Sequence, residues 1–383
     1  MKIITLKENL DNGLNIVNKV TGKNLTLPIL NNILISTEKN FLNLSATDLE
    51  LGIKHWFLVK TEKEGKVTVP AKTLSGFISF LPDQKITLEE KNNFLYIDCE
   101  NHSTKIKTMN ADDFPIIPKI DGEKYVELNC SILCEALSQV VDFSTPNQNR
   151  PDLSGIYFNF QKDSAKLVAT DGFRLAEKTL LLENKTDKTF SFILPQKTAR
   201  EIINIFSEKE GKIRLYFSPN QILFEYPMEE TPHPQTQVVS RLIEGDYPDY
   251  QGIIPKQYEA QLILEKEGLL NQIKTASIFS GRGNEVRLRI DDKKEGVEVF
   301  SQDPDLGDNK SFLAGKIRFS HTAEKKEMEV VFNYKFLADG LASIKSRNII
   351  LELNGEEKPA AIKPEDDPNH IYVVMPIYMP VKS

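Results

Sequence analysis

Cysteine is scarce in this chain: Cys99, Cys130 and Cys134 form no CxxC, and the five histidines are scattered. So odd and sparse a set excludes a disulfide framework and leaves no zinc-ligand spacing; it reads as a protein of a reducing compartment. Cys130 and Cys134, four apart on a helical pattern without paired histidines, read as small core residues. Long apolar runs are missing too. None approaches the ~18 residues of a membrane span, and Met1–Thr5 has no signal-peptide core, so the expectation is a cytoplasmic protein without membrane contact. Positive charge is not in excess. A net charge of −7 argues against coating nucleic acid by bulk attraction, and leaves room for a local basic patch.

Catalytic and cofactor signatures are equally thin. No Walker loop, GxGxxG, HExxH or GxSxG occurs. Gly281-Arg-Gly283 reads as a helix C-terminal cap and turn. The acidic run Asp303–Asp308 lacks the spacing and closing glutamate of a calcium loop and reads as a solvated loop. The expectation is therefore no metal, no cofactor and no enzymatic activity.

What is present is repetition. Each third opens with an alternating strand followed by apolar residues at helical spacing: Lys2–Leu6 then Leu10, Leu14, Val17; Tyr125–Leu128 then Leu133, Leu137, Val140; Ala260–Leu264 then Leu269, Ile273, Ala276. A hairpin follows in each: Ile33–Thr37 with Phe41–Ala46, Ile156–Phe160 with Ala165–Ala169, Val286–Ile290 with Val297–Ser301. A second helix then starts at Pro70, Pro195 or Asn333, residues suited to a helix start. Counting from that residue, positions four, eight and eleven on are apolar: Leu74, Ile78, Leu81; Ala199, Ile203, Phe206; Leu337, Leu341, Ile344. Position two is lysine each time, Lys72, Lys197 and Lys335, on the face away from that stripe. The first two thirds end in matched proline loops, Asp113–Pro118 and Asp246–Pro255. These patterns predict three α+β domains, 1–121, 122–255 and 256–383, each with two helices packed on antiparallel sheet. Leu44-Ser-Ala-Thr-Asp48 echoes Leu167-Val-Ala-Thr-Asp171, but only the second continues Gly172-Phe173-Arg174. Asp48 and Asp171 can be posed as the carboxylates of a nucleic-acid-processing enzyme; as repeat-equivalent residues they read better as turn aspartates. A repeat-built scaffold that binds no DNA is the other alternative.

Leu167–Leu175, Leu194–Thr198, Glu244–Tyr250, Val331–Phe336 and Tyr372–Pro376, in this order over the whole chain, resemble the bacterial sliding clamps, the beta subunits of DNA polymerase III. The resemblance implies a non-catalytic head-to-tail homodimer. Two crescents would close into a ring around duplex DNA, without reading sequence, and tether the replicative polymerase. It also implies a pocket between the middle and C-terminal domains for the polymerase III alpha subunit, the clamp loader and other proteins bearing a clamp-binding motif. Carried over by motif, the pocket comprises Leu153, Thr170, Gly172, Phe173, Arg174, Leu175, Pro248, Asn333, Phe336, Ala360, Val373, Met375, Pro376 and Ile377. Gly172 is expected to allow close backbone approach, and Arg174 to frame one rim.

DNA contacts are expected at Lys72, Lys197, Arg200 and Lys335; the resemblance further implies contacts near a primer junction at Lys23, Asn24, Gln148 and Arg150, and a dimer seam at Ile106, Ile278 and Phe279. The chain departs from the family pattern at Phe173, often histidine there, at Gly252 and Gly283, and in a tail running past Pro376 to Ser383.

Overall fold

The computed structural model describes residues 1–22, 26–120, 125–146, 149–186, 189–321 and 326–378. The chain forms two compact units, Met1–Ile132 with Glu201–Leu242, and Leu133–Arg200 with Ile243–Ser383. Six α-helices occur among the described residues: α1 Lys7–Val17, α2 Ala71–Ser79, α3 Cys130–Val140, α4 Gln196–Phe206, α5 Lys266–Ser277 and α6 Tyr334–Ser343. All strand pairs are antiparallel, as chains of hairpins and long-range returns require.

The first unit holds two sheets. Five strands run in the order Lys60–Lys63, Lys2–Leu6, Lys85–Lys91, Phe94–Cys99, His102–Lys107. Eight run Val126–Asn129, Lys212–Ser218, Gln221–Pro227, Pro234–Arg241, Leu51–Leu58, Phe41–Thr47, Asn32–Glu38, Lys66–Pro70. The alternating apolar positions face the helices: Leu10, Leu14 and Val17 of α1, and Ala71, Leu74 and Ile78 of α2, are buried. Gly13 lets α1 lie close on the sheet, since a Cβ there would meet Leu44 and Phe57 at 3.0 Å.

The second unit holds nine strands in the order Phe190–Pro195, Gly155–Phe160, Ser164–Thr170, Arg174–Leu181, His370–Val374, Ala360–Pro364, Asn348–Leu353, Ala260–Glu265, Lys316–Phe319. A four-stranded sheet runs Gly307–Ala314, Lys294–Asp303, Glu285–Asp291, Glu327–Asn333. Gly340 admits α6 to this core, because a Cβ there would stand 2.2 Å from the Tyr372 ring.

The repeats do not keep private sheets. The eight-stranded sheet passes from the first repeat to the second where Leu51–Leu58 pairs with Pro234–Arg241, from Ser240↔Leu51 to Thr236↔His55. The nine-stranded sheet passes from the second to the third where Arg174–Leu181 pairs with His370–Val374, from Arg174↔Val374 to Lys178↔His370. The middle repeat thus gives its Val126–Asn129 and Lys212–Arg241 strands to one sheet and its Gly155–Pro195 strands to the other.

The helix stripes follow the expected spacing with one correction. Ile203 of α4 is only partly buried, and Ile202 and Ile205 face inward instead. The acidic run at Asp303 is an exposed turn. Asp303 Oδ1 accepts the amides of Asp305 and Leu306 at 2.9 and 3.1 Å, closing the hairpin of Lys294–Asp303 and Gly307–Ala314.

Candidate functional sites

The distinctive stretch of the sequence lies at the junction inside the second unit. Ser164–Thr170 and Arg174–Leu181 are joined by a turn that its own side chains hold closed. Thr170 Oγ1 donates to the Arg174 carbonyl at 2.6 Å and accepts the Gly172 amide at 3.1 Å. Asp171 Oδ1 accepts the amides of Phe173 and Arg174 at 3.0 and 3.1 Å. Asp171 is therefore spent on an Asx-type turn, not poised as an acid or base. Gly172 has φ +92°, and nothing lies within 4 Å of where its Cβ would stand. The left-handed backbone favours glycine here.

Arg174 is held by two ion pairs. Its side chain is 12 % exposed; Nε donates to Asp171 at 2.9 Å and Nη1 to Asp339 at 2.6 Å. The guanidinium lies over the rings of Phe336 and Phe143, 4.6 and 5.3 Å from their centroids. Burial alone would lower its pKa, but Asp339 and Asp171 outweigh that and hold it above the ordinary arginine value. Arg174 thereby pins the 170–174 turn to α6. The exposed Phe173 ring stands 6.3 Å from Phe336. The Met375 amide donates to the Phe173 carbonyl at 2.9 Å and the Ile377 amide to the Val331 carbonyl at 2.8 Å, so the chain after Val374 runs past the turn. Phe173, Phe336, Met375, Pro376 and Ile377 are all incompletely buried and present an apolar surface around the Arg174 stack.

Other expected pocket residues lie deeper. Leu175 and Val373 form a buried cluster with Val168 and Tyr250, and Ala360 is buried as the partner of Val374. Asn333 caps α6, its Oδ1 accepting the Lys335 amide at 3.0 Å. Leu153 is buried in the 3-10 turn Pro151–Leu153, and Pro248 is half-buried in the connector between Tyr247 and Tyr250. The Tyr250 hydroxyl donates to Glu177 at 2.7 Å, and burial followed by that carboxylate raises its pKa. Sequence reasoning missed Asp339, Phe143 and Tyr372, whose hydroxyl donates to the Phe336 carbonyl at 2.8 Å. Only Asp171, three residues before Arg174, carried a local signal of the ion pair.

The second-helix lysines share one local setting. Lys72, Lys197 and Lys335 are exposed in the first turns of α2, α4 and α6. None of these helices has an acidic residue in its first turn, whereas α1 has Glu8 and α5 has Glu267. A cation at a helix N-terminus opposes the backbone dipole, so three such lysines run against local preference. Arg200 is paired with Asp142 at 2.8 Å, and Arg150 with Asp152 at 2.9 Å. Lys23, Asn24 and Gln148 lie outside the described residues. Of the expected dimer residues, Ile278 is 64 % exposed, Phe279 is partly buried, and Ile106 is 7 % exposed and packed inside its own protomer. Leu306 and Phe312, also exposed, were not anticipated. Among the described residues no cluster of His, Cys, Asp or Glu is arranged to hold a metal ion, and no helix is long and apolar enough to cross a membrane.

Comparison with known proteins agrees with this architecture. Three family models of the DNA polymerase III beta subunit match consecutively: the N-terminal domain at residues 1–118, the central domain at 127–249 and the C-terminal domain at 251–378. The beta sliding clamp of Synechocystis sp. is 27 % identical over 98 % of this chain and 99 % of its own length. The crystal structure of the DNA polymerase sliding clamp from Bacillus subtilis covers 99 % of this chain and 100 % of its own with a TM-score of 0.92; at 22 % identity that likeness is one of fold. A putative DNA polymerase III beta subunit from Eubacterium rectale is 27 % identical with a TM-score of 0.88, covering 98 % of this chain and 99 % of its own.

Proposed function

The chain belongs to the DNA polymerase III beta-subunit family, and we infer that it works as a DNA sliding clamp, a tether for the replicative polymerase with no chemistry of its own. Two protomers join head to tail, the first repeat of one against the third repeat of its partner, and close a ring around duplex DNA. The edge strands His102–Lys107 and Gly307–Ala314, each unpaired on one side among the described residues, support a seam at those ends, with Ile278, Leu306 and Phe312 as its exposed apolar side chains.

The observation that carries the DNA-facing assignment is the recurrence of Lys72, Lys197 and Lys335 in first turns without an acid. A lysine at a helix N-terminus attracts phosphate through its charge. Such contacts position a duplex without reading its bases, and a net charge of −7 keeps the remaining surface from trapping it. Arg200 and Arg150 are paired with Asp142 and Asp152, which reduces their pull on phosphate.

The apolar surface of Phe173, Phe336, Met375, Pro376 and Ile377 is the docking place for short apolar segments of the polymerase alpha subunit, the clamp loader and other partners. Leu175, Val373 and Ala360 form its floor, with Thr170, Leu153, Pro248 and Asn333 holding the frame. The enzyme reading gains no support, because Asp48 and Asp171 are both committed to their turns.

The test is topological. With a cognate loader, the protein is placed on nicked circular DNA and the circles are then cut. Retention on circles and loss on cutting is the expected result; equal retention on both ends the ring reading. Reversing the charge of Lys72, Lys197 and Lys335 together is expected to weaken loading and retention. Unchanged retention removes the lysines from the DNA-facing role.

A further inference from the structure

One groove of the first unit has no part in the function inferred above. It offers about 1260 Å³ over the face of the eight-stranded sheet away from α1. Register sets its floor. Asn43 stands opposite Trp56, Ser45 opposite Lys54, Lys54 opposite Gln237 and Gln237 opposite Glu225, so these side chains share one face. The connector after Asp113 forms one wall, with Phe114 packed on Ile29 and Leu30, and Ile117 packed on Leu223 and Val239. His233 closes another side, stacked on Phe41 at 4.3 Å and edge-on to Trp56 at 5.7 Å.

The polar groups of this groove are unbalanced toward donors. Trp56 and Asn43 are 6 % and 4 % exposed, and neither Trp56 Nε1 nor Asn43 Nδ2 has a hydrogen-bond partner. Asn43 Oδ1 is already taken by the Ser45 hydroxyl at 2.6 Å, which fixes the amide with its NH₂ spare. Among the described residues the Lys54 ammonium reaches the Ile117 carbonyl, at 3.4 Å, and makes no ion pair. Burial, and then the charge of Lys119, lower its pKa from the ordinary lysine value. The acids nearby are mostly engaged: Glu225 accepts from Gln237 at 2.8 Å and Tyr216 at 3.3 Å, and Asp112 is paired with Lys66. Among the described residues, Glu38, exposed at the rim, is a further counter-charge. Buried donors without acceptors are uncommon in native folds, and a half-buried cation facing a groove attracts an anion.

We propose that this groove docks a short partner peptide carrying an acidic residue between apolar ones, its carboxylate on Lys54 and its apolar side chains against the partly buried Leu34, Ile120 and Tyr216. A small carboxylate alone fills little of the volume, whereas an extended peptide supplies both the acceptor and the apolar contact.

Trp56 is the single tryptophan of the chain, so its emission reports this groove directly. The probe is a synthetic pentapeptide alternating leucine and aspartate, blocked at both ends, titrated into the full-length protein. A saturable change in Trp56 fluorescence is expected, absent with the matching leucine–lysine peptide and weakened at least about tenfold in Lys54→Gln, one lost ion pair of about 1.4 kcal/mol or more. Arg174→Ala, in the other cleft, leaves it unchanged. No saturable change, an equal change with the basic peptide, or equal affinity in Lys54→Gln overturns the proposal. So does succinate binding as tightly as the peptide, which reduces the groove to a small-anion site. The comparison of acidic and basic peptides on the unaltered protein decides the matter even if the variant fails to fold.

Discussion

At each place where a sheet passes from one repeat to the next, the same backbone frame stands with different side chains on it. In the first unit, Thr47 Oγ1 donates to the Leu51 carbonyl at 2.9 Å, and Asp48 Oδ1 accepts the amides of Glu50 and Leu51 at 3.0 and 2.7 Å. In the second, Thr170 and Asp171 make the same bonds to Phe173 and Arg174. The Arg241 amide donates to the Glu50 carbonyl at 2.9 Å, as the Met375 amide does to Phe173. On this shared frame Leu49 stands for Gly172, Leu51 for Arg174, Gly52 for Leu175, and Ile117 of the connector for Tyr250. At the first junction Ile117 occupies the space a side chain at Gly52 would need. The second keeps a guanidinium beside two aromatic rings and leaves apolar side chains around it. Repetition supplied the frame, and a handful of exchanges gave the two copies different surfaces.

Swapping the exchanged residues breaks that comparison most strongly where space is tightest. In Gly52→Leu the new Cβ meets Ile117 Cγ2 at 2.7 Å. A loss of about 3 kcal/mol in chemical unfolding is expected, largely recovered when Ile117→Ala is added. Arg174→Ala leaves Asp171 and the half-exposed Asp339 without their partner. It is expected to cost about 2 kcal/mol and at least tenfold in affinity for a clamp-binding peptide, by denaturation and fluorescence polarisation respectively; Arg174→Lys, lacking the planar fork, recovers little of either.

Each junction also buries a histidine, His55 opposite Thr236 and His370 opposite Lys178, and burial first of all lowers both from 6.5 to about 4. The unfolded chain takes up a proton that the folded one refuses, so stability present above pH 6.5 is lost as pH falls toward 4. Between pH 7 and 5.5 the loss is about 1.2 kcal/mol for each histidine, and His370→Gln is expected to remove one share of that slope. The smallest effect is at the turn itself. Leu49 holds φ +79°, so Leu49→Gly is expected to raise stability by about 1 kcal/mol, and Gly172→Leu to lower it by a similar amount in thermal unfolding.

Much of this molecule was legible in its sequence, and the parts that were not share a cause. The six helices, the hairpins and the apolar stripe of Leu74 and Ile78 follow from periodicity, a local property. Periodicity says which face of a strand is buried, not which strand lies beside it. The pairing of Leu51–Leu58 with Pro234–Arg241 joins residues 181 apart at His55 and Thr236, and no local pattern encodes it. Arg174 was legible as distinctive, but its second carboxylate, Asp339, is 165 residues away, so the ion pair that holds it had no local signal. The Asp303 turn escaped notice because Ser301-Gln302 stands where the other copies have Ala-Thr. Ile203 and Ile202 are both apolar, and only packing decides which of two neighbours turns inward.

The sharing of strands has a consequence for how such a chain can be taken apart or built. Its middle third owns no sheet, having lent four strands to each neighbour. Cutting at the borders of that repeat would therefore liberate no module; it would open two sheets along their interior hydrogen bonds and expose fresh edges to aggregation. An ancestral unit could be copied as a length of gene, but it can be inherited only as part of a continuous fabric. Once the copies had been woven together, they lost the freedom to be shuffled one at a time.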